Sequence, residues 1–364
     1  LLLGRKKSLA IMLDTKSVLE VLRPIQDPEL QKSLVDLNMI RNVRIEGANV
    51  SFTLVLTTPA CPLREFIVED CQRAVKQLPG IESVEVAVSA ETPQQKSLPD
   101  RQSVGGVKNI VAVSSGKGGV GKSTVAVNVA VALAQAGAKV GLLDADIYGP
   151  NAPTMLGLSQ AQVRVQQGEA GEVLEPAFNY GVKMVSMGFL IDPDQPVIWR
   201  GPMLNGIIRQ FLYQVNWGDL DYLIVDMPPG TGDAQLTLAQ AVPMAGAVIV
   251  TTPQTVSLLD ARRGLKMFQQ MGVNVLGIVE NMSYFIPPDM SDRSYDLFGS
   301  GGGEKAAREL SVPLLGCIPL EIALREGGDA GVPITVAQPD SASAKALVAI
   351  AKQIAAKVSV AAFA

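Results

Sequence analysis

The run Ser114-Ser115-Gly116-Lys117-Gly118-Gly119-Val120-Gly121-Lys122-Ser123-Thr124 has residue types and spacing that suit phosphate chemistry. Glycines let backbone N–H groups turn inward onto phosphate oxygens, Lys122 offers a cation to a β/γ-phosphate pair, and the Ser123 hydroxyl suits Mg²⁺. The same letters satisfy G-x-G-x-x-G through Gly116, Gly118 and Gly121, and Asp144 ends the next apolar segment, so a dinucleotide fold is the first rival. Two features weigh against it. A dinucleotide site has no use for Lys122-Ser123, nor for a second apolar segment running Leu223-Ile224-Val225-Asp226-Met227-Pro228-Pro229-Gly230. That segment places a carboxylate for a metal and Gly230 where a γ-phosphate would be sensed.

These residues need a scaffold that brings loop ends together. Continuously apolar runs recur at Ile110 to Val113, Val140 to Leu143, Leu223 to Val225, Ala247 to Thr251, Val275 to Val279 and Leu314 to Ile318, alternating with helical stretches. Runs apolar on both faces predict a buried parallel sheet with helices on each side, and the motifs fall at the carboxyl ends of its strands. The fold class expected is therefore α/β, a mostly parallel P-loop sheet at 108–364, preceded by a small α+β domain at 13–90 and a linker at 91–107. In the small domain a helix over Ser17 to Arg23, strands Ile40 to Ile45 and Val50 to Thr57 joined at Glu46-Gly47-Ala48-Asn49, a helix from Pro62 to Gln77 and a strand through Val84-Glu85-Val86 are expected.

Composition narrows the function classes. The 364 residues carry 31 Lys and Arg against 35 Asp and Glu, a net charge of −4 that provides no basic footprint for nucleic acid. With no histidine, imidazole bases, histidine metal ligands and Ser-His-Asp triads are excluded, leaving carboxylates, lysines, hydroxyls, thiols and backbone dipoles. Three cysteines make no disulfide framework, so a reducing cytoplasm is expected. No apolar run is expected to span a membrane, and the stretch Ser341 to Ser359, dominated by small residues, is expected to be a domain helix. The lead Leu1 to Ile11 ahead of Met12 is expected to be an extension before the translation start.

The loop Lys117-Gly118-Gly119-Val120-Gly121-Lys122-Ser123-Thr124 resembles the deviant Walker A of the MinD/ParA/nitrogenase-iron-protein class. The resemblance implies that Lys117 reaches across a homodimer to the partner's nucleotide. Within that class, Asp144 to Pro153, Asp226 to Asp233, Glu280-Asn281-Met282-Ser283 and Arg325 to Gly331 resemble the Mrp/ApbC subfamily, whose members carry iron–sulfur clusters; the N-terminal module resembles the small domain often fused to them. The implied cofactors are ATP and Mg²⁺, with a [4Fe–4S] cluster as cargo, and the implied partners are a second copy and iron–sulfur apo-proteins. Asp144 and Asp146 are the carboxylates available to orient water and to sit near the metal. Asp146 is preferred for water, and the reverse assignment stays open. Asp226 is expected to hold Mg²⁺ through a water, with Ser123 as direct ligand, and Asn281 to face adenine or serve as a turn residue. Asp260 is expected either to pair with Lys117 or to be a solvated helix acid. ATP is preferred over GTP because no Asn-Lys-x-Asp motif follows the later strands.

The resemblance breaks at one place. Many subfamily members hold the cluster between subunits through Cys-Pro-x-Cys after an Asn-Met-Ser-Tyr-Phe segment. Here Asn281 to Phe285 leads into Ile286-Pro287-Pro288-Asp289, so isoleucine and aspartate stand at the thiolate positions. Of the remaining thiols, Cys61 at a strand-to-helix junction is the candidate iron–sulfur ligand, with a structural role as the alternative; Cys71 and Cys317 are expected to pack. The leading expectation is a Mg²⁺-dependent ATPase that transfers clusters or assists maturation of apo-proteins. Alternatives are an ATP-switched positioning protein of MinD/ParA type without a cluster, or a kinase using the same loop.

Overall fold

The computed structural model describes residues 14–94, 101–147, 149–162, 164–168, 171–190, 201–289 and 293–363. The lead before Met12, Tyr148 and the middle of the expected linker, 95–100, lie outside the described residues. The chain forms two compact units that divide between Thr92 and Pro93.

The small unit begins with helix α1 (Thr15–Leu22), started by Asp14, whose carboxylate accepts the Ser17 N–H at 2.8 Å. A minimal strand pair follows, β1 (Gln26–Asp27) with β2 (Lys32–Ser33). Strands β3 (Ile40–Glu46) and β4 (Asn49–Leu56) make the expected hairpin, and Gly47 takes the left-handed φ of +63° that its turn requires. Helix α2 (Arg64–Lys76) then crosses over, so β5 (Ser83–Ala90) pairs with β4 in parallel. Val18, Leu22, Phe52, Leu54, Ile67, Cys71 and Val75 fill the core.

The large unit is built on an eight-stranded sheet ordered β10-β11-β7-β12-β6-β13-β14-β15. All six runs expected as buried strands are there: β6 (Val107–Ser115), β7 (Val140–Asp144), β12 (Leu220–Asp226), β13 (Gly246–Thr251), β14 (Val275–Phe285) and β15 (Leu314–Leu320). They pair in parallel, with helices α3 (Lys122–Gln135), α5 (Gly201–Tyr213), α6 (Asp233–Ala241), α7 (Thr255–Gln270), α8 (Gly302–Glu309) and α9 (Ile322–Ala330) between or after them. Short helices α4 (Ala152–Met155) and α10 (Ile334–Ala337) fill connections. The sequence pattern misses the hairpin β8 (Arg164–Gly168) and β9 (Gly171–Glu175), the antiparallel edge strand β10 (Ala177–Asn179), and β11 (Val182–Ser186). Strand β11 escapes because Lys183 interrupts its apolar run; its ammonium donates to the Trp217 carbonyl at 2.7 Å.

Residues of the expected linker bond to the large unit: the Asn109 amide donates to the Pro93 carbonyl at 2.9 Å, and Arg101 donates to the Met271 carbonyl, at the end of α7, at 2.5 Å. One further expectation changes. Helix α11 (Ala342–Phe363) is long and apolar enough to cross a membrane by length and composition, contrary to the expectation that no run would be. Its mean hydropathy of 1.6 comes from alanines extending the run, while Leu347, Ile350, Ile354 and Val358 are buried within the chain.

Candidate functional site

Strand order places β6 between β12 and β13, with β7 beyond β12, so the loop after β6 meets the acids that end β7 and β12. The register sets Asp226 directly beside Asp144, and Asp144 beside Ser186 of β11. Residues 116–121 curl between β6 and α3. Gly121 closes the loop at φ +82°, and a Cβ there would overlap the Asn281 amide. Gly116 is required for a different reason: a Cβ on it would overlap the Asp260 carbonyl of α7. Val120 is buried beneath the loop, whereas Gly118 and Gly119 face outward with Lys117 half-buried.

Lys122 is the electrostatic centre. Its side chain is only 6% exposed, and its ammonium lies 2.6 Å from Asp226 Oδ1, 3.3 Å from Asp146 Oδ2 and 3.4 Å from the Ser123 hydroxyl. Burial alone would lower its pKa, but attraction from Asp226 and Asp146 outweighs that and holds it above the ordinary lysine value. Asp144 is fully buried, accepting the Asp146 N–H at 3.1 Å and the Ser186 hydroxyl at 2.9 Å. Burial, reinforced by the neighbouring Asp226, pushes its carboxyl up to about 8. Asp226 is raised as well, because burial outweighs the pull of Lys122. The two strand-end acids thus differ: Asp144 spends its oxygens on the scaffold, while Asp146 turns to Lys122.

The residues present fit a Mg²⁺–triphosphate. Asp226 Oδ2 is buried without a hydrogen-bond partner, a hard oxygen beside the Ser123 hydroxyl of the loop helix. Gly230 lies on the same side at φ +90°, its N–H given to the Ser115 carbonyl at 2.9 Å. A cavity of about 390 Å³ opens beside the loop, lined by Gly121, Thr124, Asn281, Met282, Leu320 and Arg325 among others. Asn281 is not in a turn after its strand: β14 continues through it to Phe285, and its amide donates to the Val120 carbonyl at 2.9 Å. It therefore ties the cavity wall to the phosphate loop.

Asp260 does not pair with Lys117; its carboxylate takes Arg263, one turn along α7, at 2.9 Å. Sequence reasoning also missed Ser186, which orients Asp144, and the role of Glu280, a buried acid that accepts the Gly303 N–H at 2.5 Å and so caps α8. Ser186 carries no motif, and Glu280 stands in one that assigned it no role. The only further signal is a polar residue at the end of an apolar run.

The thiols are arranged differently. Cys61 is partly buried against the small unit's core. Cys71 lies inside that core, as expected, and burial pushes its thiol up to about 12. Cys317 on β15 is paired in register with Glu280, and burial raises its thiol too. Among the described residues there is no group of three or more His, Cys, Asp or Glu side chains arranged to hold a metal.

Residues 106–355 match the NUBPL iron-transfer P-loop NTPase family. The chain belongs to that family. Residues 15–88 match a second family, described as iron-sulfur cluster assembly protein. An iron-sulfur cluster carrier protein of Synechocystis sp. is 86% identical over 351 residues, covering 96% of this chain and 99% of its own. The carrier protein of the same name from Escherichia coli K12 is 44% identical over 316 residues, covering 87% and 85%. Among solved structures, a nucleotide-binding protein from Archaeoglobus fulgidus in complex with ADP is 39% identical with a TM-score of 0.56, covering 65% of this chain and 90% of that one. The iron-transfer P-loop NTPase fold thus accounts for the parallel sheet, the phosphate loop and the carboxylates at its strand ends.

Proposed function

We propose that this chain is a Mg²⁺-dependent ATP hydrolase of the cytoplasm, working as a homodimer, that hands iron–sulfur clusters to apo-proteins without binding nucleic acid or membrane. The observation that carries the ATPase reading is the buried Lys122 ammonium held between Asp226 and Asp146 at the mouth of the phosphate loop. A triphosphate entering there exchanges carboxylate partners of Lys122 for phosphate oxygens. Asp226 and Ser123 are the residues that would hold Mg²⁺, which supplies charge stabilisation at the phosphates when bound. Asp146, released from Lys122, is positioned to orient the attacking water, and Asp144, anchored by Ser186, holds the strand end still. Asn281 borders the base, and Gly230 offers its N–H to the γ-phosphate. Lys117, half-buried at the start of the loop, is assigned to the partner's nucleotide.

The carrier reading is supported by the relatives' names, and the chain's own donors restrict how cargo is held. Ile286 and Asp289 provide no thiolate pair, and Cys71 keeps its proton in the core. Cys61 is then the ligand assigned to the cluster, one from each subunit, with the remaining ligands from a client or a small thiol. Anaerobic reconstitution with iron and sulfide, followed by transfer to an apo-ferredoxin, tests the reading. Absorbance near 400 nm that moves to the acceptor supports it. A chain that hydrolyses ATP but never gains iron overturns the carrier half alone.

A further inference from the structure

Gln235 is fully buried in the first turn of α6, directly after the Pro228 to Gly232 turn, and only half of its carboxamide is used. Its Nε2 donates to the Pro228 carbonyl and lies 3.3 Å from the Ser114 hydroxyl, while its Oε1 is buried with no partner. A buried acceptor left unpaired is costly and calls for a reason.

The reason begins with two prolines. After Asp226 the chain stays alongside β6: Met227 N–H donates to the Val113 carbonyl at 3.0 Å, and Gly230 N–H donates to the Ser115 carbonyl at 2.9 Å. Between those points Pro228 and Pro229 have no N–H, so the backbone cannot fasten itself. Gln235 supplies the missing donor from the side, connecting the Pro228 carbonyl to β6 at Ser114. It does this from the third helical position, where a glutamine ordinarily turns back to accept the N–H of the N-cap. The N-cap of α6 is Gly232. The observed bonding therefore uses the donor and forgoes the acceptor.

We propose that Gln235 is a positioning residue for γ-phosphate sensing: it holds Pro228 fixed, so that the turn pivots at Pro229–Gly230, and its free oxygen receives the Gly232 N–H when Gly230 leaves Ser115 for phosphate. This rests on the ATPase reading above. Side-chain retention of Pro228 makes the swing of Gly230 a local event, and the capping bond offsets the loss of the Ser115 contact.

The test uses the full chain with Gln235→Met, close in volume but without donor or acceptor, and Gln235→Glu, which keeps the acceptor but sets an oxygen against the Pro228 carbonyl. Turnover of Mg²⁺-ATP is expected to fall about 3- to 10-fold in Gln235→Met, the size of one neutral hydrogen bond, and further in Gln235→Glu. KM for ATP and affinity for ADP are expected to stay within about twofold of the unsubstituted chain, because the bond acts after binding. Unchanged kcat in a folded Gln235→Met variant, or a matching loss of ADP affinity, overturns the proposal. If both variants fail to fold, amide hydrogen exchange in the unsubstituted chain decides. Protection that differs between ADP and a non-hydrolysable ATP analogue only at 230–232 supports the pivot, and a difference spread evenly over 226–241 overturns it. A folded unsubstituted chain lacking Mg²⁺-dependent turnover overturns the ATPase reading, and with it this one; an active chain indifferent to Gln235 overturns this one alone.

Discussion

The phosphate site and the thiols are two regions built on opposite terms. Around Lys122, three carboxylates, a hydroxyl and a glycine loop converge from β6, β7 and β12, with Lys122 within 3.3 Å of two of the acids. The sulfur chemistry has no such convergence: one thiol is core, one is packed on β15 beside Glu280, and one sits at the edge of the small unit's core. A site that must polarise a bound phosphate needs its charges preorganised within one chain. A site that must release its cargo gains by being incomplete until another molecule supplies ligands. The difference separates what the chain does alone from what it does with partners.

That comparison breaks most sharply at the loop. Lys122→Ala is expected to lower Mg²⁺-ATP turnover by about a hundredfold or more, since the buried charge opposite the phosphates is lost; near-normal activity in a folded variant would sink the site. Lys117→Ala is expected to lose turnover by a similar order, about a hundredfold, while still binding ATP. Mixing it with Lys122→Ala is expected to restore activity if Lys117 acts across the dimer. A demonstrated heterodimer no more active than either parent would remove that role.

On the thiol side the expected effects are smaller. Cys61→Ser is expected to reduce reconstituted iron and sulfide per chain, and Cys71→Ser to leave them unchanged; an intact cluster in the Cys61 variant would remove it as a ligand. Ile286→Cys combined with Asp289→Cys is expected to raise cluster occupancy by adding two soft ligands per chain. Cys71 also yields a pH prediction. Its thiol is raised from 9.0 to about 12, so the native state keeps a proton that the unfolded chain gives up. Its contribution to stability is complete below pH 9 and is lost as pH rises toward 12. Native alkylation at pH 8 is expected to spare Cys71 and to label it only after denaturation.

The same contrast explains what could be seen in the residues alone. The phosphate loop, Asp144, Asp226 and six strands were legible because contiguous spacing and continuous apolar runs encode them. Asn281 was expected to follow its strand because the apolar run stops at Val279, yet β14 continues through the polar Glu280 and Asn281 to Phe285, and Asn281 lines the cavity beside the loop. Ser186 and Gln235 were invisible because each reaches a residue distant in sequence, Asp144 and Ser114, through contacts that the sheet order creates; Glu280 stood in a quoted block, but its bond to Gly303 of α8 was not foreseen. Strand β11 was missed when one lysine, satisfied by a carbonyl, broke its pattern. The Asp260–Lys117 pair failed for a local reason: Arg263, three residues along the same helix, was the nearer partner.

Gly116 has a consequence that reaches beyond chemistry. Because its Cα touches down on the backbone of α7, the start of the phosphate loop and that helix can only be inherited together. A single added methyl there has no flexible side chain to push aside, so it would displace the peptide of Asp260 or the loop itself, and drift at this position is closed to every residue with a Cβ. Substitutions on the outward surface of α7 leave this backbone contact untouched, while the peptide beneath stays locked to the machinery that turns over the nucleotide.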